Sequence, residues 1–204
     1  MKARVLESGS NPRVKRVRKL GTRRGRAKAG LFVAEGPHAV EVALDVGAPV
    51  EEVFCTAGFA ERHGALAERL EGAAWPVWAV SDVVMGSLAA TEHPQGVVAV
   101  VAELVDSEVP VVTEGLLVLA LEGVGDPGNV GTALRVAHAA GAGLVALGAG
   151  CCDRFNAKAV RASSGGVFGV PALATDDLAG LLAGLRGGGA RVVAAEPGGG
   201  RLCW

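Results

Sequence analysis

Asn129 and Arg135 are the side chains whose types and setting in this sequence best suit chemistry. They follow an apolar run at residues 116–121 and a turn rich in Gly, Asp and Pro. A strand that ends in such a turn before a helix is a place where α/β proteins bind ligands. An amide and a guanidinium can both hydrogen-bond a phosphate or a ribose. The sequence therefore predicts a site for one of these groups beside this helix.

Each of these residues also has a plainer interpretation. Asn129 could serve only as the N-cap of the helix, a common role for Asn, and Arg135 could be a surface charge. The turn at residues 123–128 formally matches the pattern GxGxxG, so a Rossmann-type nucleotide site is a rival. Pro127 weakens that rival because it removes a backbone N–H donor where pyrophosphate would bind.

A second basic cluster follows in the run from residue 153 to residue 165. Lys158 and Arg161 are three residues apart and so share one face of a helix. Ser163 and Ser164 come directly after them, before two glycines that could simply end the helix. A solvated basic stripe is the alternative to a binding surface here.

The charge of the chain is divided unevenly. Residues 1–30 carry eleven Lys and Arg against one acid, so this arm is +10 while the remaining 174 residues are −11. A basic arm on an acidic body is typical of polyanion binding, with a solvated tail as the alternative. The arm residues that we predict to bind RNA are Arg13, Lys15, Arg16, Arg18, Lys19, Arg23 and Arg24.

Composition excludes several classes of protein. The four Cys and four His residues show no metal-ligand spacing, which predicts reduced thiols and no metal site. No apolar run approaches the ~20 residues that a membrane span needs, and the basic N-terminus is not followed by the apolar core of a signal peptide. We therefore expect a cytoplasmic protein that does not bind membranes.

Alternating strand-like and helix-like segments predict an α/β protein of two domains, of which the second has a parallel sheet. The arm (1–30) precedes a first α/β domain (31–103), a linker (104–115) and a second α/β domain (116–204). The predicted strands are 31–34, 53–56, 77–80, 96–102, 116–121, 144–147, 167–170 and 191–195. The predicted helices are 38–46, 59–70, 82–89 with Ser81 as its cap, 130–140, 156–163 and 177–185.

Four segments, taken in order, resemble the SpoU (TrmH-type) family of RNA ribose 2′-O-methyltransferases, of the SPOUT class. They are FVAEGPHAVEVAL (32–44), HPQGVVAVV (93–101), DPGNVGTALRVAHAAGA (126–142) and DRFNAKAVRASSGGVFGVP (153–171). The first two resemble the family's small α/β RNA-binding domain. The last two resemble the start of its parallel-sheet methyltransferase domain. Four matches in order are specific, whereas any single one is not.

The resemblance implies roles for individual residues. Asn129 and Arg135 belong to the family's first motif, in which the arginine is held to activate the target ribose hydroxyl. Glu35, Lys158, Arg161 and Ser163 would contact RNA, either rRNA or tRNA. S-adenosylmethionine would be the methyl donor, and no metal is implied.

The resemblance also sets an expectation about the C-terminal part. The family continues with a Gly-x-Glu motif and a Ser-Leu-Asn motif, which build a trefoil knot, the cofactor pocket and the homodimer interface. Neither motif occurs in these 204 residues. The chain is therefore expected to be a truncated member without the knot, with an incomplete cofactor site, doubtful dimerisation and no activity alone. The alternatives are a non-catalytic RNA-binding remnant and a Rossmann-type nucleotide-binding protein.

Overall fold

The structure, a computed structural model, describes residues 5–195, so Lys2, Arg4 and Cys203 lie outside it. Up to residue 102 its elements are α1 (Pro12–Lys19), α2 (Arg23–Ala29), β1 (Leu31–Glu35), α3 (Pro37–Asp45), β2 (Val50–Cys55), α4 (Ala57–Arg62), α5 (Gly64–Glu71), β3 (Val77–Ala79), α6 (Asp82–Leu88) and β4 (Val97–Ala102). After residue 115 they are β5 (Val118–Leu121), α7 (Pro127–Ala139), β6 (Leu144–Leu147), α8 (Ala157–Ala162), α9 (Gly166–Gly169), β7 (Ala172–Ala174) and α10 (Leu178–Gly187).

The first sheet has the strand order β1-β4-β2-β3. Strand β4 is antiparallel to both of its neighbours, and only β2 and β3 are parallel. The first domain is therefore an α/β unit with a mixed sheet. Five of the six residues of β4 are buried, which explains why its sequence is a continuous β-branched run.

The second sheet, β5-β6-β7, is parallel throughout, as the alternation predicts. Its strands are short, and β6 between the other two is buried along its whole length. The carboxyl ends of these strands therefore meet at one edge, where the loops 122–126, 148–156 and 175–177 follow them.

Two of the predicted strands are wrong. Residues 167–170 lie almost wholly in helix α9, and the strand follows at Ala172–Ala174. Val167 and Val170 are both buried three residues apart, a spacing that suits a helical turn as well as an apolar strand. Residues 191–195 are exposed and form no strand, because no described strand pairs with them.

The basic arm is folded, so the interpretation as a solvated tail is wrong. Val14, Val17 and Leu20 are buried against Val33 and Met85 on one face of the first sheet. Each of the two helices begins at a side-chain cap, from Asn11 for α1 and from Thr22 for α2. The arm thus has one apolar face on the sheet and one charged face in solvent.

The two domains share a hydrophobic core. Phe32 of β1 stacks on Phe155, with ring centroids 4.7 Å apart, and also contacts Phe168. One buried cluster includes residues of β1, α3 and β4 together with residues of α7, α8 and β6. The segment 103–115 has no helix or strand, and its Ser107 N–H donates to the Ala172 carbonyl oxygen. No described helix is both long and apolar enough to cross a bilayer.

Candidate functional site

Helix α7 begins at Asp126, which is its N-cap. The Asp126 Oδ1 accepts a hydrogen bond from the backbone N–H of Asn129 at 3.1 Å, and Pro127 is the first helical residue. The N-cap interpretation of Asn129 is therefore wrong, and its side chain is exposed in the first turn. The Lys158 Nζ donates to the Asp126 Oδ2 at 3.0 Å, and this bond lowers the pKa of the Asp126 carboxyl.

Arg135 lies on α7 six residues after Asn129, and it is exposed to solvent. Val130, Leu134 and Ala137 are buried and fix which face of the helix packs on the protein. Among the described residues, the Arg135 guanidinium has no hydrogen bond and no ion pair. A cation that is held by a rigid helix but not neutralised can bind an anionic or alkoxide oxygen.

Two glycines allow the elements after β6 to approach α7 closely. A Cβ at Gly131 would lie 2.3 Å from the Ala159 carbonyl oxygen, and one at Gly166 would lie 2.8 Å from the Leu134 carbonyl oxygen. Helices α8 and α9 therefore contact the α7 backbone directly. As a result, the turn between them lies beside the backbone of Arg135.

Lys158 and Arg161 are both exposed on α8. Lys158 is paired with Asp126, whereas the Arg161 side chain has no partner within residues 5–195. Both residues were predicted to contact RNA, but only the positive charge of Arg161 is not neutralised by a carboxylate among the described residues. Lys158 has a structural bond that ties α8 to the start of α7.

Ser163 is fully buried, which does not suit its predicted contact with RNA. Its Oγ donates to the Val160 carbonyl oxygen at 2.7 Å and accepts from the backbone N–H of Val167 at 3.2 Å. Ser163 thus joins α8 to α9 and offers nothing to a ligand. The next residue, Ser164, is exposed and takes a left-handed φ of 46°.

Glu35 is also buried rather than placed on the surface. Its carboxylate accepts from the backbone N–H of Ala90 at 2.7 Å and from the hydroxyl of Thr91. These bonds hold the start of the loop 90–96, in which residues 92, 93 and 95 are exposed. Any contribution of Glu35 to RNA binding would pass through this loop.

The helices α1 and α2 present a basic surface to solvent. Its members are exposed, and within the described part of the chain their side chains have no ion pair. We call this set the basic surface: Lys15, Arg18, Lys19, Arg23, Arg24 and Lys28. Five of these six residues were predicted to bind RNA, and Lys28 joins them by position.

Arg13 and Arg16 belong to a different, internal network. The Glu52 carboxylate, buried on β2, accepts hydrogen bonds from Arg13 Nη1 at 3.4 Å, Arg16 Nη2 at 2.7 Å and Trp78 Nε1 at 2.9 Å. The Arg13 guanidinium also lies 4.2 Å above the Trp78 ring, and Arg16 bonds Glu51. These two arginines therefore hold α1 on the sheet, and their charge is largely compensated.

Arg26 is the residue whose role the sequence did not reveal. It is buried, and its Nε and Nη2 donate to the Asp153 Oδ2 at 2.9 and 2.6 Å. Its Nη1 donates to the Leu20 carbonyl oxygen at 2.9 Å. The partners Arg26 and Asp153 are 127 residues apart, so no local pattern could have indicated this bond.

The neighbouring Arg154 bonds the segment that links the two domains. It is buried over the Phe155 ring, and its Nη1 donates to Asp106 Oδ1 at 2.6 Å. Its Nη2 donates to the Leu104 carbonyl oxygen at 2.8 Å. The loop after β6 is therefore tied to α2 by one side chain and to the segment 103–115 by the next.

A cleft of about 780 Å³ opens where β6 and β7 end. It is bounded by α2, by residues 103–106, by the loop 147–155 and by residues 174–176. Glu103, Asp106, Asp153 and Asp176 line it against Arg23 and Arg154. Burial raises the pKa of Glu103, and the charge of Asp153 adds to this shift. An acid-rich lining does not suit a phosphate.

The geometry also weighs against the Rossmann rival. A dinucleotide site uses the N-terminus of the helix after the glycine turn to bind pyrophosphate. Here the Asp126 carboxylate already binds that end of α7. A second negative group at the same place would be repelled, so a pyrophosphate is disfavoured there.

Residues 5–195 contain no cluster of metal ligands and no disulfide bond. No group of three or more potential ligand side chains is assembled there. Cys55, Cys151 and Cys152 form no disulfide. Burial raises the pKa of Cys55 to about 11, which keeps that thiol protonated at neutral pH.

Two family models match the chain. Residues 11–99 match the MRM3-like substrate-binding domain, and residues 116–203 match the SpoU rRNA methylase family. An uncharacterised tRNA/rRNA methyltransferase of Synechocystis is 34% identical over 201 residues, which are 98% of this chain and 72% of the relative. The 23S rRNA (guanosine(2553)-2′-O)-methyltransferase of Bacillus subtilis is 33% identical, over 81% of this chain and 63% of the relative.

Solved structures agree with the sequence matches. An AdoMet-bound rRNA methyltransferase from Sinorhizobium meliloti superposes with a TM-score of 0.76 at 30% identity, over 89% of this chain and 69% of that one. The SpoU methyltransferase AviRb of Streptomyces viridochromogenes, in complex with AdoMet, gives 0.76 at 28% identity, over 87% and 68%. The fold and the order of the two matched domains thus agree, and the chain belongs to the SpoU family of RNA methyltransferases.

Proposed function

We propose that the chain is an RNA 2′-O-ribose methyltransferase that acts on rRNA or tRNA in the cytoplasm. The observation that carries this proposal is the exposed Arg135 guanidinium, which has no partner among the described residues and is held on α7 by a buried helix face. The names of the relatives, which include a 23S rRNA 2′-O-methyltransferase, support the reaction and the substrate class.

Arg135 suits the chemical problem of this reaction. A ribose 2′-hydroxyl is a poor nucleophile until its proton leaves or its alkoxide is stabilised. A guanidinium beside the oxygen stabilises the developing negative charge, and it can bind the adjacent phosphate through its other N–H groups. Because Arg135 has no competing carboxylate within residues 5–195, its charge is available for both tasks.

Asn129 and Arg161 extend the same exposed region. Asn129 lies on α7 one and a half turns before Arg135, and Arg161 lies on α8, which packs directly on α7. An exposed amide and an exposed guanidinium can hydrogen-bond ribose and phosphate groups around the target nucleotide. The basic surface of α1 and α2 would hold the RNA backbone farther from the reacting sugar.

The methyl donor is S-adenosylmethionine, which two of the solved relatives are described as binding. The described residues do not by themselves form a site that fits it. Of the six charged side chains that line the cleft at β6 and β7, four are acidic, and Asp106, Asp153 and Arg154 are engaged in ion pairs. No aromatic pair within residues 5–195 lines that cleft to hold an adenine.

The proposal is tested by incubating the 204-residue chain with methyl-labelled S-adenosylmethionine and 23S rRNA or tRNA. We expect label in ribose 2′-O-methyl groups, a result that would overturn the sequence-based expectation of no activity alone. We expect R135A to lower the rate by about 10²-fold or more, the usual contribution of a positioned proton-transfer group. RNA affinity, measured by filter binding, should change far less than the rate.

The matched control is R186A, which removes another exposed arginine from a helix of the same domain. It should leave the rate unchanged. An R135A variant as active as R186A would contradict the role of Arg135. RNA binding without methyl transfer by the unaltered chain would favour the non-catalytic RNA-binding alternative.

A further inference from the structure

Helix α2 carries cations of two kinds. Arg23, Arg24 and Lys28 are exposed and belong to the basic surface. Arg26, on the same helix, is buried and bonds Asp153 in the methyltransferase domain through two N–H groups. One short helix therefore has one face for RNA and one cation fixed in the other domain.

The loop that Arg26 reaches is held at several points. Asp153 Oδ2 accepts from Arg26, while its Oδ1 accepts from the backbone N–H of Phe155 at 2.8 Å. Arg154 in the same loop bonds Asp106 and the Leu104 carbonyl oxygen. A shift of α2 would therefore be transmitted to the loop 151–155 rather than absorbed between the domains.

The same loop contacts the turn that precedes α7. The backbone N–H of Cys152 donates to the Val124 carbonyl oxygen at 2.9 Å, and the Cys151 thiol lies 3.3 Å from the Leu121 carbonyl oxygen. A continuous series of bonds thus runs from α2 through Asp153 to the start of the helix that carries Arg135.

We propose that Arg26 is a positioning residue that couples RNA bound on α2 to the loop 151–155 and so to the start of α7. This inference rests on the proposed function, because it requires RNA to bind the basic surface. RNA that holds α2 in place stabilises the Arg26–Asp153 bond and makes opening of the loop rarer. The side chain itself does not touch RNA, since it is buried.

Cys151 and Cys152 provide a reporter within this loop. Both residues are partly buried and each thiol bonds a carbonyl oxygen, so their reaction with iodoacetamide, a small neutral reagent, should quicken as the loop opens more often. Cys55 is buried in the first domain and reports global unfolding instead. The full chain is treated with and without saturating 23S rRNA transcript, and each modified cysteine is located by peptide mass spectrometry.

We expect saturating RNA to slow modification of Cys151 and Cys152 by about fivefold, the lower end of typical coupling between two sites. In R26Q without RNA, these thiols should be modified faster than in the unaltered chain, and added RNA should not slow their modification. R26K keeps the charge but not the forked geometry, so it should show a smaller effect of RNA. D153N removes the negative charge of the acceptor and so weakens the same bond. It should change the thiol rate in the same direction as R26Q, which keeps the test valid if R26Q does not fold.

The matched control is R24Q, an exposed arginine of the same helix. R24Q should weaken RNA binding, as measured by fluorescence anisotropy. At saturating RNA it should still show the full fivefold slowing of Cys151 and Cys152 modification. Two results would overturn the inference. The first is a rate of thiol modification that RNA binding does not change in the unaltered chain. The second is the full fivefold slowing by RNA in R26Q, because RNA would then shield the thiols directly. Absence of any RNA binding in the anisotropy assay would remove the proposed function, and this inference with it.

Discussion

The arginines of this protein occur in three different structural environments. Arg26 and Arg154 are buried in bonds at the junction of the domains, Arg13 and Arg16 hold α1 through Glu52, and Arg135 is exposed without a partner among the described residues. The environment, rather than the residue type, decides which cation is available to RNA. A guanidinium that already bonds a buried carboxylate cannot bind phosphate without leaving that carboxylate uncompensated.

Glu103 provides a test of the charges in the cleft. Its pKa is raised by burial and by the nearby charge of Asp153, so its ionised form is less favourable in the folded protein than in the unfolded chain. E103Q should therefore stabilise the protein at pH 7. Because Glu103 is only partly buried, solvent screens its charge and the gain should be small, about 0.5 kcal/mol.

The sign of this effect depends on pH. Below the pKa of Glu103 in the unfolded state, ordinarily about 4.3, the carboxyl is neutral in both states and the substitution should have little effect. As pH rises through the folded-state pKa, the advantage of E103Q should appear. Melting temperatures of both proteins from pH 4 to pH 8 measure this, and an advantage that is constant over the range would contradict the assignment.

At the scale of elements, glycine decides how closely the helices beside the site approach each other. Gly131 faces the backbone of α8, and Gly166 faces the backbone of α7. The turn Ser164–Gly165 reaches the first domain as well, because Gly165 contacts Val42 of α3. Any side chain at these glycines would separate the elements that position Arg135 and Arg161.

G131A should therefore be destabilising although alanine is the better helix former. Its Cβ would lie 2.3 Å from the Ala159 carbonyl oxygen, so α8 must move. We expect a loss of about 1–3 kcal/mol, as for other overpacked sites. The control is G184A in α10, where a Cβ would meet no atom within 4 Å.

G184A should instead gain about 0.5–1 kcal/mol from its lower backbone entropy in the unfolded chain. Urea denaturation of the three proteins measures both changes. Equal shifts of the midpoint in the two variants would show that close packing of α7 on α8 is not what Gly131 provides.

The sequence predicts elements well where one local signal dominates. The β-branched run at β4 and the Ser81 cap of α6 are both confirmed, since Ser81 Oγ accepts from the Val84 N–H. Prediction from sequence fails where a strand and a helix share one apolar pattern, as in the segment that forms the helix α9. The antiparallel position of β4 between β1 and β2 has no local signal either, because strand order depends on contacts between distant residues.

The same distinction holds for the candidate site. Arg135 and Arg161 are exposed on helices that the sequence predicts, and their role at a site stays a prediction. The buried positions of Glu35 and Ser163 could not be predicted, because polar residues are usually exposed and only the tertiary fold supplies their partners. The Arg26–Asp153 bond is the extreme case, since it joins residues from opposite ends of the chain.

At the scale of the whole molecule, the two domains are parts of one packed body. Phe32 of the first domain stacks on Phe155 of the second, and both are buried. The cluster around them continues through β1, α3, α7 and α8. Two ion pairs, Arg26–Asp153 and Arg154–Asp106, reinforce the same junction. The helices α1 and α2, which we propose to bind RNA, therefore have a fixed position relative to Arg135.

A shared core predicts a single unfolding transition. Trp75 and Trp78 lie in the first domain, so in a W204F background, which removes the third tryptophan, fluorescence follows that domain, whereas far-ultraviolet circular dichroism follows the helices of both. F155A removes a buried ring of the second domain and should destabilise the protein by about 3–5 kcal/mol. Because the core is continuous, the urea midpoint should fall equally by both probes, although no tryptophan of the first domain has been changed. A circular-dichroism transition that moves while the tryptophan transition stays in place would mean that the domains unfold separately, and coupling through Arg26 would then lack the rigid junction that it requires.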